Sequence, residues 1–131
     1  MFRQSTLLVF SIMLALSSFV IKASALELIM FEQESCEWCE AWNKDVGVVY
    51  SKTDEGKKAP LRRVDIFDKR PKDLKHLSNP RFTPTFVLFH DGKELGRIRG
   101  YPGEDFFWGM LDELLKKLVV KAAIAATKNP S

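Results

Sequence analysis

Beyond residue 25 the apolar positions fall into short runs and helical stripes. Residues 26–31 are an apolar run rich enough for a buried strand. From residue 36 to 51 the pattern changes period: Trp38, Trp42, Val46 and Val49 or Tyr50 recur at helical spacing, with Gly47 weakening the helix they predict. Residues 53–58 are polar and read as a loop, and residues 61–67 as a second strand. Pro71 suits the first turn of a short helix through Leu77, which Asn79-Pro80 breaks. Residues 85–90 are apolar on both faces and therefore a central strand. Asp91-Gly92 is a two-residue hairpin signal into a fourth strand, 94–99. Gly100-Tyr101-Pro102-Gly103 interrupts the chain before a last helix, 104–120. There Phe107, Leu111, Leu114 and Leu118 line one face, which reads as core packed on the sheet rather than a ligand box. Glu104 and Asp105 at its start, and Lys116 and Lys117 towards its end, complement the helix dipole.

The predicted order is βαβαββα, an α/β fold. The first crossover makes a parallel pair and the hairpin adds antiparallel strands, giving a four-stranded mixed sheet with helices on both faces. Residues 26–120 form a single domain. Residues 121–131, alanine-rich and then polar, are expected to fray.

Residues 1–25 add an address. Arg3 supplies a short positive start, residues 7–21 an almost unbroken apolar run, and Ala23-Ser24-Ala25 an A-x-A cleavage site. The alternative is an uncleaved anchor, but that run falls short of the ~20 residues needed to span a bilayer. Lys22 directly after it is unusual for a signal peptide. Cleavage after Ala25 would place the mature chain in the periplasm, where disulfides persist, with no stable membrane insertion. The formal net charge is +3. Without Arg3 and Lys22 the chain has 18 basic against 17 acidic residues, so nothing points to a nucleic acid or an anionic membrane partner.

Candidate chemistry sits in Cys36-Glu37-Trp38-Cys39, the chain's two cysteines at the predicted start of its first helix. Unpaired N–H groups and the positive end of the helix dipole favour a thiolate there. A purely structural disulfide would close only a two-residue loop and remove little chain entropy. Zinc needs about four ligands, and His76 and His90 show no finger-like spacing, so no metal site is expected. Redox chemistry is the better reading, and it needs no further cofactor.

With Cys36-Glu37-Trp38-Cys39 after the first strand and Thr83-Pro84-Thr85 before the third, the chain resembles the thioredoxin superfamily over nearly all of its mature length. The stretch from Pro102 to Trp108 adds a likeness to small periplasmic thioredoxin-like proteins of bacterial sulfur-oxidation systems, called SoxS-like. The resemblance implies a minimal thioredoxin-like fold, a redox-active Cys36–Cys39 disulfide, and a cis Pro84 lying against it. It also implies that Cys36, the more exposed thiol, attacks substrate and that Cys39 resolves the mixed disulfide. Thr83 would pair with an extended substrate segment, while Trp38 and the Gly100-Tyr101 turn would shape an apolar rim. The chain departs from thioredoxins proper in two places. Glu37-Trp38 replaces Gly-Pro, adding a negative charge that opposes the dipole effect. Met30 stands where a buried Asp would serve proton transfer; Glu32 and Glu34 are nearby but expected in solvent.

The function expected is reduction or isomerisation of disulfides in exported proteins, with a membrane thiol carrier supplying electrons. The absence of a spacer His, the charge of Glu37 and the Thr before Pro84 favour that direction over a disulfide-introducing oxidase. A redox-independent peptide-binding or chaperone module is the alternative from another class.

Overall fold

A computed structural model of the chain describes residues 25–128. The first strand, β1 (Leu26–Glu32), is buried on both faces because it lies inside the sheet. It pairs in parallel with β2 (Leu61–Asp65) and antiparallel with β3 (Thr85–His90), and β3 pairs antiparallel with β4 (Lys93–Arg99). The order β2-β1-β3-β4 is the expected four-stranded mixed sheet of an α/β fold. Asp91 and Gly92 both have positive φ, as a tight turn between β3 and β4 requires.

Alternation along the strands divides the core. Leu28, Met30, Phe86, Leu88 and Ile98 face a larger layer containing Trp42, Tyr50, Phe107 and Leu111. Ile29, Phe31, Val87 and Phe89 face a smaller one closed by Leu74 and Leu77. Trp42 centres the larger layer, with its ring 5.1 Å from Phe86 and 5.6 Å from Phe107. The last helix, α4 (Glu104–Lys128), buries Phe107, Leu111 and Leu114 as expected, with Leu118 half-buried. It lies so close to β4 that a side-chain carbon on Gly96 would strike Leu114.

The first helix begins as α1 (Glu37–Trp42), widens into a π-helical segment over Asn43–Gly47, and ends in one turn, α2 (Val48–Tyr50). Tyr50 rather than Val49 takes the inward position, and its hydroxyl donates to the Ala59 carbonyl at 2.7 Å. Residues 53–58 correct the sequence reading, because Asp54–Lys58 form a short helix, α3. Thr53 caps it, its Oγ1 accepting the Gly56 N–H at 3.0 Å, and acidic residues open it while lysines close it. Its polarity hid it from a search for apolar periodicity.

Three further boundaries differ. β2 stops at Asp65, whose Oδ1 accepts the Phe67 N–H at 2.8 Å and turns the chain. The expected helix after Pro71 is one 3₁₀ turn, Lys72–Leu74, and the i, i+3 spacing of Leu74 and Leu77 suits that tighter geometry. Residues 121–128, expected to fray, continue α4, in keeping with the helix propensity of Ala122, Ala123, Ala125 and Ala126. No helix among the described residues is long and apolar enough to cross a membrane. Residues 1–24 lie outside the described residues, and with them nearly all of the expected signal peptide.

Gly56 and Gly109 make a matched test of this packing. A Cβ at Gly56 would land on the Tyr50 carbonyl oxygen, whereas one at Gly109 meets nothing within 4 Å. Gly56→Ala should therefore destabilise by about 1–3 kcal/mol. Gly109→Ala, on the exposed side of α4, should stabilise by up to about 1 kcal/mol. Urea denaturation midpoints of the two variants check both.

Two tyrosines predict the alkaline limit. Burial, then the Glu55 charge, pushes the Tyr50 phenol well above its ordinary 10.0. Burial, then the hydrogen bond to Asp45, pushes Tyr101 up to about 12. A phenol raised in the fold ionises first in the unfolded chain, so the stability it contributes is present below pH 10 and is lost as pH rises towards 12. Urea midpoints should fall across that window, and less steeply in Tyr101→Phe.

Candidate active site

β1 delivers the site. Past Glu32 the chain turns through residues 33–35, with Ser35 held at φ 57, and enters α1 at Cys36. Cys36 is the N-cap residue, with extended backbone angles, and its Sγ accepts the Cys39 N–H at 3.1 Å. A sulfur here takes the place that a serine or aspartate oxygen fills at other helix starts. Cys39 lies one turn further in, and the two are joined in a disulfide with Cα atoms 5.2 Å apart. The contrast in exposure expected between them is slight: Cys36 is 6% exposed and Cys39 3%.

Thr83 and Pro84 reach the same end of the sheet from the other side. β3 begins one residue later, at Thr85, which lies opposite Phe31 of β1 and Arg99 of β4. The Thr83–Pro84 peptide is cis. The Pro84 carbonyl accepts the Gly100 N–H at 2.7 Å, but Thr83 makes no backbone hydrogen bond among the described residues. Trp38 stands 58% exposed on the outer side of α1, away from the core. Tyr101 is buried in the layer that holds both cysteines, and its hydroxyl donates to Asp45 Oδ2 at 3.0 Å, tying the Gly100-Tyr101 turn to the π segment.

The disulfide borders a pocket of about 330 Å³ whose walls are acidic: Glu32, Glu34, Glu40 and Asp65, with Asn43. Here the structure revises the sequence reading. Glu34 is in solvent as expected, but the Glu32 side chain is only 24% exposed. Arg63 Nη1 donates to Glu32 Oε2 at 2.6 Å, and its Nη2 donates to Asn43 Oδ1 at 2.8 Å. The Arg63 guanidinium also lies 5.8 Å from the centre of the Trp42 ring. Arg63 pairs in register with Met30, so the parallel β1–β2 ladder sets this arrangement. The sequence carried one usable signal for it, since Glu32 is two residues from Met30 and shares its face of the strand. Among the described residues no group of three or more His, Cys, Asp and Glu is placed to hold a metal ion.

Comparison with known proteins agrees with this geometry. A thioredoxin-like domain family model matches residues 19–115. Among curated proteins no sequence matches. The reduced periplasmic thioredoxin SoxS of Paracoccus pantotrophus is 45% identical with a TM-score of 0.68, over 71% of this chain and 98% of that one. The Malassezia sympodialis thioredoxin Mala s 13 is 22% identical with a TM-score of 0.52, over 70% of this chain and 76% of that one, a likeness of fold. With its disulfide-bonded Cys36–Cys39 pair at the start of α1, the chain belongs to the thioredoxin-like family and is a thiol–disulfide oxidoreductase.

Proposed function

We propose that this oxidoreductase works in the periplasm, reducing or isomerising disulfides of exported proteins through Cys36 and Cys39. The observation that carries the assignment of roles is the Cys39 N–H held 3.1 Å from the Cys36 sulfur. That donor, with the helix N-terminus, stabilises negative charge on Cys36 in the reduced protein and makes it the attacking thiol. The periplasmic address rests on the leader pattern in residues 1–25 and on the 45% identical neighbour, a periplasmic thioredoxin.

The Cys36 thiolate attacks one sulfur of the substrate disulfide. A Cys36–substrate bond forms, the substrate bond breaks, and one substrate thiolate leaves. Cys39 then loses its proton and attacks the Cys36 sulfur, forming the Cys36–Cys39 bond and expelling the second substrate thiolate. Two electrons have passed to the substrate. A membrane thiol carrier returns the oxidised protein to the dithiol. In isomerisation the expelled substrate thiolate attacks a second disulfide of its own chain, and the thiolate released there attacks the substrate sulfur of the mixed disulfide, freeing Cys36 before Cys39 acts. Thr83, with its N–H and carbonyl free of backbone partners among the described residues, is the natural place for an extended substrate segment to pair, and Trp38 offers it apolar surface.

Glu32 is the proton acceptor for Cys39. It borders the same pocket as Cys39, is largely shielded from solvent, and is held by Arg63, which keeps a carboxylate in the pocket where Cys39 must lose its proton. The remaining acidic wall argues for the reducing direction. Carboxylates at Glu34, Glu40 and Asp65, with Glu37 in the spacer, disfavour a thiolate and so destabilise the reduced state relative to the disulfide.

Mixed-disulfide trapping tests the assignment. Cys39→Ser, expressed with its leader, should accumulate higher-mass adducts with exported proteins that collapse on adding reductant, and Cys36→Ser should trap far fewer. Insulin disulfide reduction should be lost in Cys36→Ser. Equal adduct ladders from both variants would mean that the attacking cysteine is misassigned. Redox-independent peptide binding without turnover would replace the enzyme with a binding module. Glu32→Gln should slow resolution of a preformed mixed disulfide by about tenfold or more at neutral pH. That gap should close as pH rises and Cys39 ionises unaided, while the rate of Cys36 attack stays unchanged.

A further inference from the structure

Lined by Phe82 and Thr85, which flank Thr83-Pro84 in the chain, lies a cavity of about 690 Å³ with a charge opposite to that of the acidic pocket. It opens between residues 78–82 and the end of β4, and its walls carry Arg81, Phe82, Thr85, Arg97 and Arg99 with no carboxylate. The strand register explains the opening. On the smaller-layer face of the sheet Leu74 and Leu77 cover the central strands, but the β4 residues opposite Thr85 and Val87 are Arg99 and Arg97. The sheet edge turns basic there.

The guanidiniums are not equivalent. Arg97 is fixed: its Nε and Nη2 donate to the two Glu94 oxygens at 2.6 Å each, and its side chain is 8% exposed. Its Nη1 makes no hydrogen bond among the described residues. Arg81 and Arg99 form no ion pair among the described residues. The Arg97 fork is taken up by Glu94, whose carboxylate also feels the Arg99 charge, so the cavity's surplus positive charge comes from Arg81 and Arg99, guanidiniums of the kind that bind carboxylates well.

We propose that this cavity binds acidic side chains next to the reacting cysteine of the protein substrate, selecting disulfides in acidic surroundings. The inference rests on the oxidoreductase reading above and adds a substrate class to it. Phe82 and Thr85, both in the cavity wall, bracket Thr83-Pro84 in the chain. A substrate strand paired with Thr83 therefore carries its neighbouring side chains to the cavity. That continuity favours acidic residues of the substrate over a free small anion, which would recognise the same guanidiniums.

The test uses two disulfide peptides of equal length whose cysteines are flanked by Glu in one and by Lys in the other, with bis(2-hydroxyethyl) disulfide as a neutral control. Reduced protein should act on the Glu peptide about tenfold faster than on the Lys peptide at low salt, the advantage shrinking as salt is raised. The double variant Arg81→Gln/Arg99→Gln should lose that advantage while keeping its rate on the neutral disulfide. Equal rates on the two peptides, or a double variant slowed equally on all three substrates, would overturn the proposal. Saturable inhibition by inorganic sulfate at constant ionic strength, with no preference between peptides, would make the cavity a small-anion site and also overturn it. A second arm needs no redox step: Ser-for-Cys versions of the peptides, titrated into the oxidised protein, should bind with the same preference. If that preference stands while the neutral disulfide is not reduced, the acidic-substrate site survives and the oxidoreductase reading fails.

Discussion

Trp42 is the contact through which the redox site is held to the rest of the molecule. Fully buried, it packs on Phe86 from the sheet and on Phe107 from α4, joining all three parts of the larger core. Cys39 lies three residues earlier on the same helix face, so the ring that fixes the helix also fixes the depth of the inner sulfur. Aromatic pairs in this geometry contribute about 0.5–1.5 kcal/mol each beyond the area they bury. The indole also meets the Arg63 guanidinium, so the residue that anchors the helix touches the residue that holds Glu32.

Most of the fold was legible because the residues that make it are apolar and periodic. Leu28 and Met30 against Ile29 and Phe31, and Phe107, Leu111 and Leu114 at helical spacing, carry their burial in their order. The Asp91-Gly92 turn was legible because few residue pairs tolerate two successive positive φ angles. What escaped depends on polar contacts. α3 is built from a threonine cap and charged ends, and a period search sees only a hydrophilic stretch.

The site divides in the same way. Cys36, Cys39, Thr83 and Pro84 stand out by residue type and order. The Glu32–Arg63 pair joins residues 31 positions apart, and it follows only from the register that sets Arg63 beside Met30. The basic cavity is further from view, because Arg81 and Arg99 come together through a loop conformation and an edge strand that no local pattern reports. An acidic pocket at the disulfide and a basic cavity lined by the chain neighbours of Thr83-Pro84 give the molecule an uneven distribution of charge that the near balance of 18 basic and 17 acidic residues beyond the leader conceals.

The π-helical stretch Asn43–Gly47 has a consequence for how the chain can vary in length. A wide turn of this kind accommodates one more residue than an α-helix would over the same rise. Removing a residue there would let the helix close into regular α geometry while everything after it keeps close to its present phase around the axis. Tyr50 would keep its place in the larger core and its bond to the Ala59 carbonyl, and the turn beneath Gly56 would keep its seat. Asp45, which ties the helix to Tyr101, lies inside the same stretch. A one-residue deletion within this segment is therefore absorbed by the change of helix type, whereas one in α1 or α2 would reset the phase of the helix for every contact that follows.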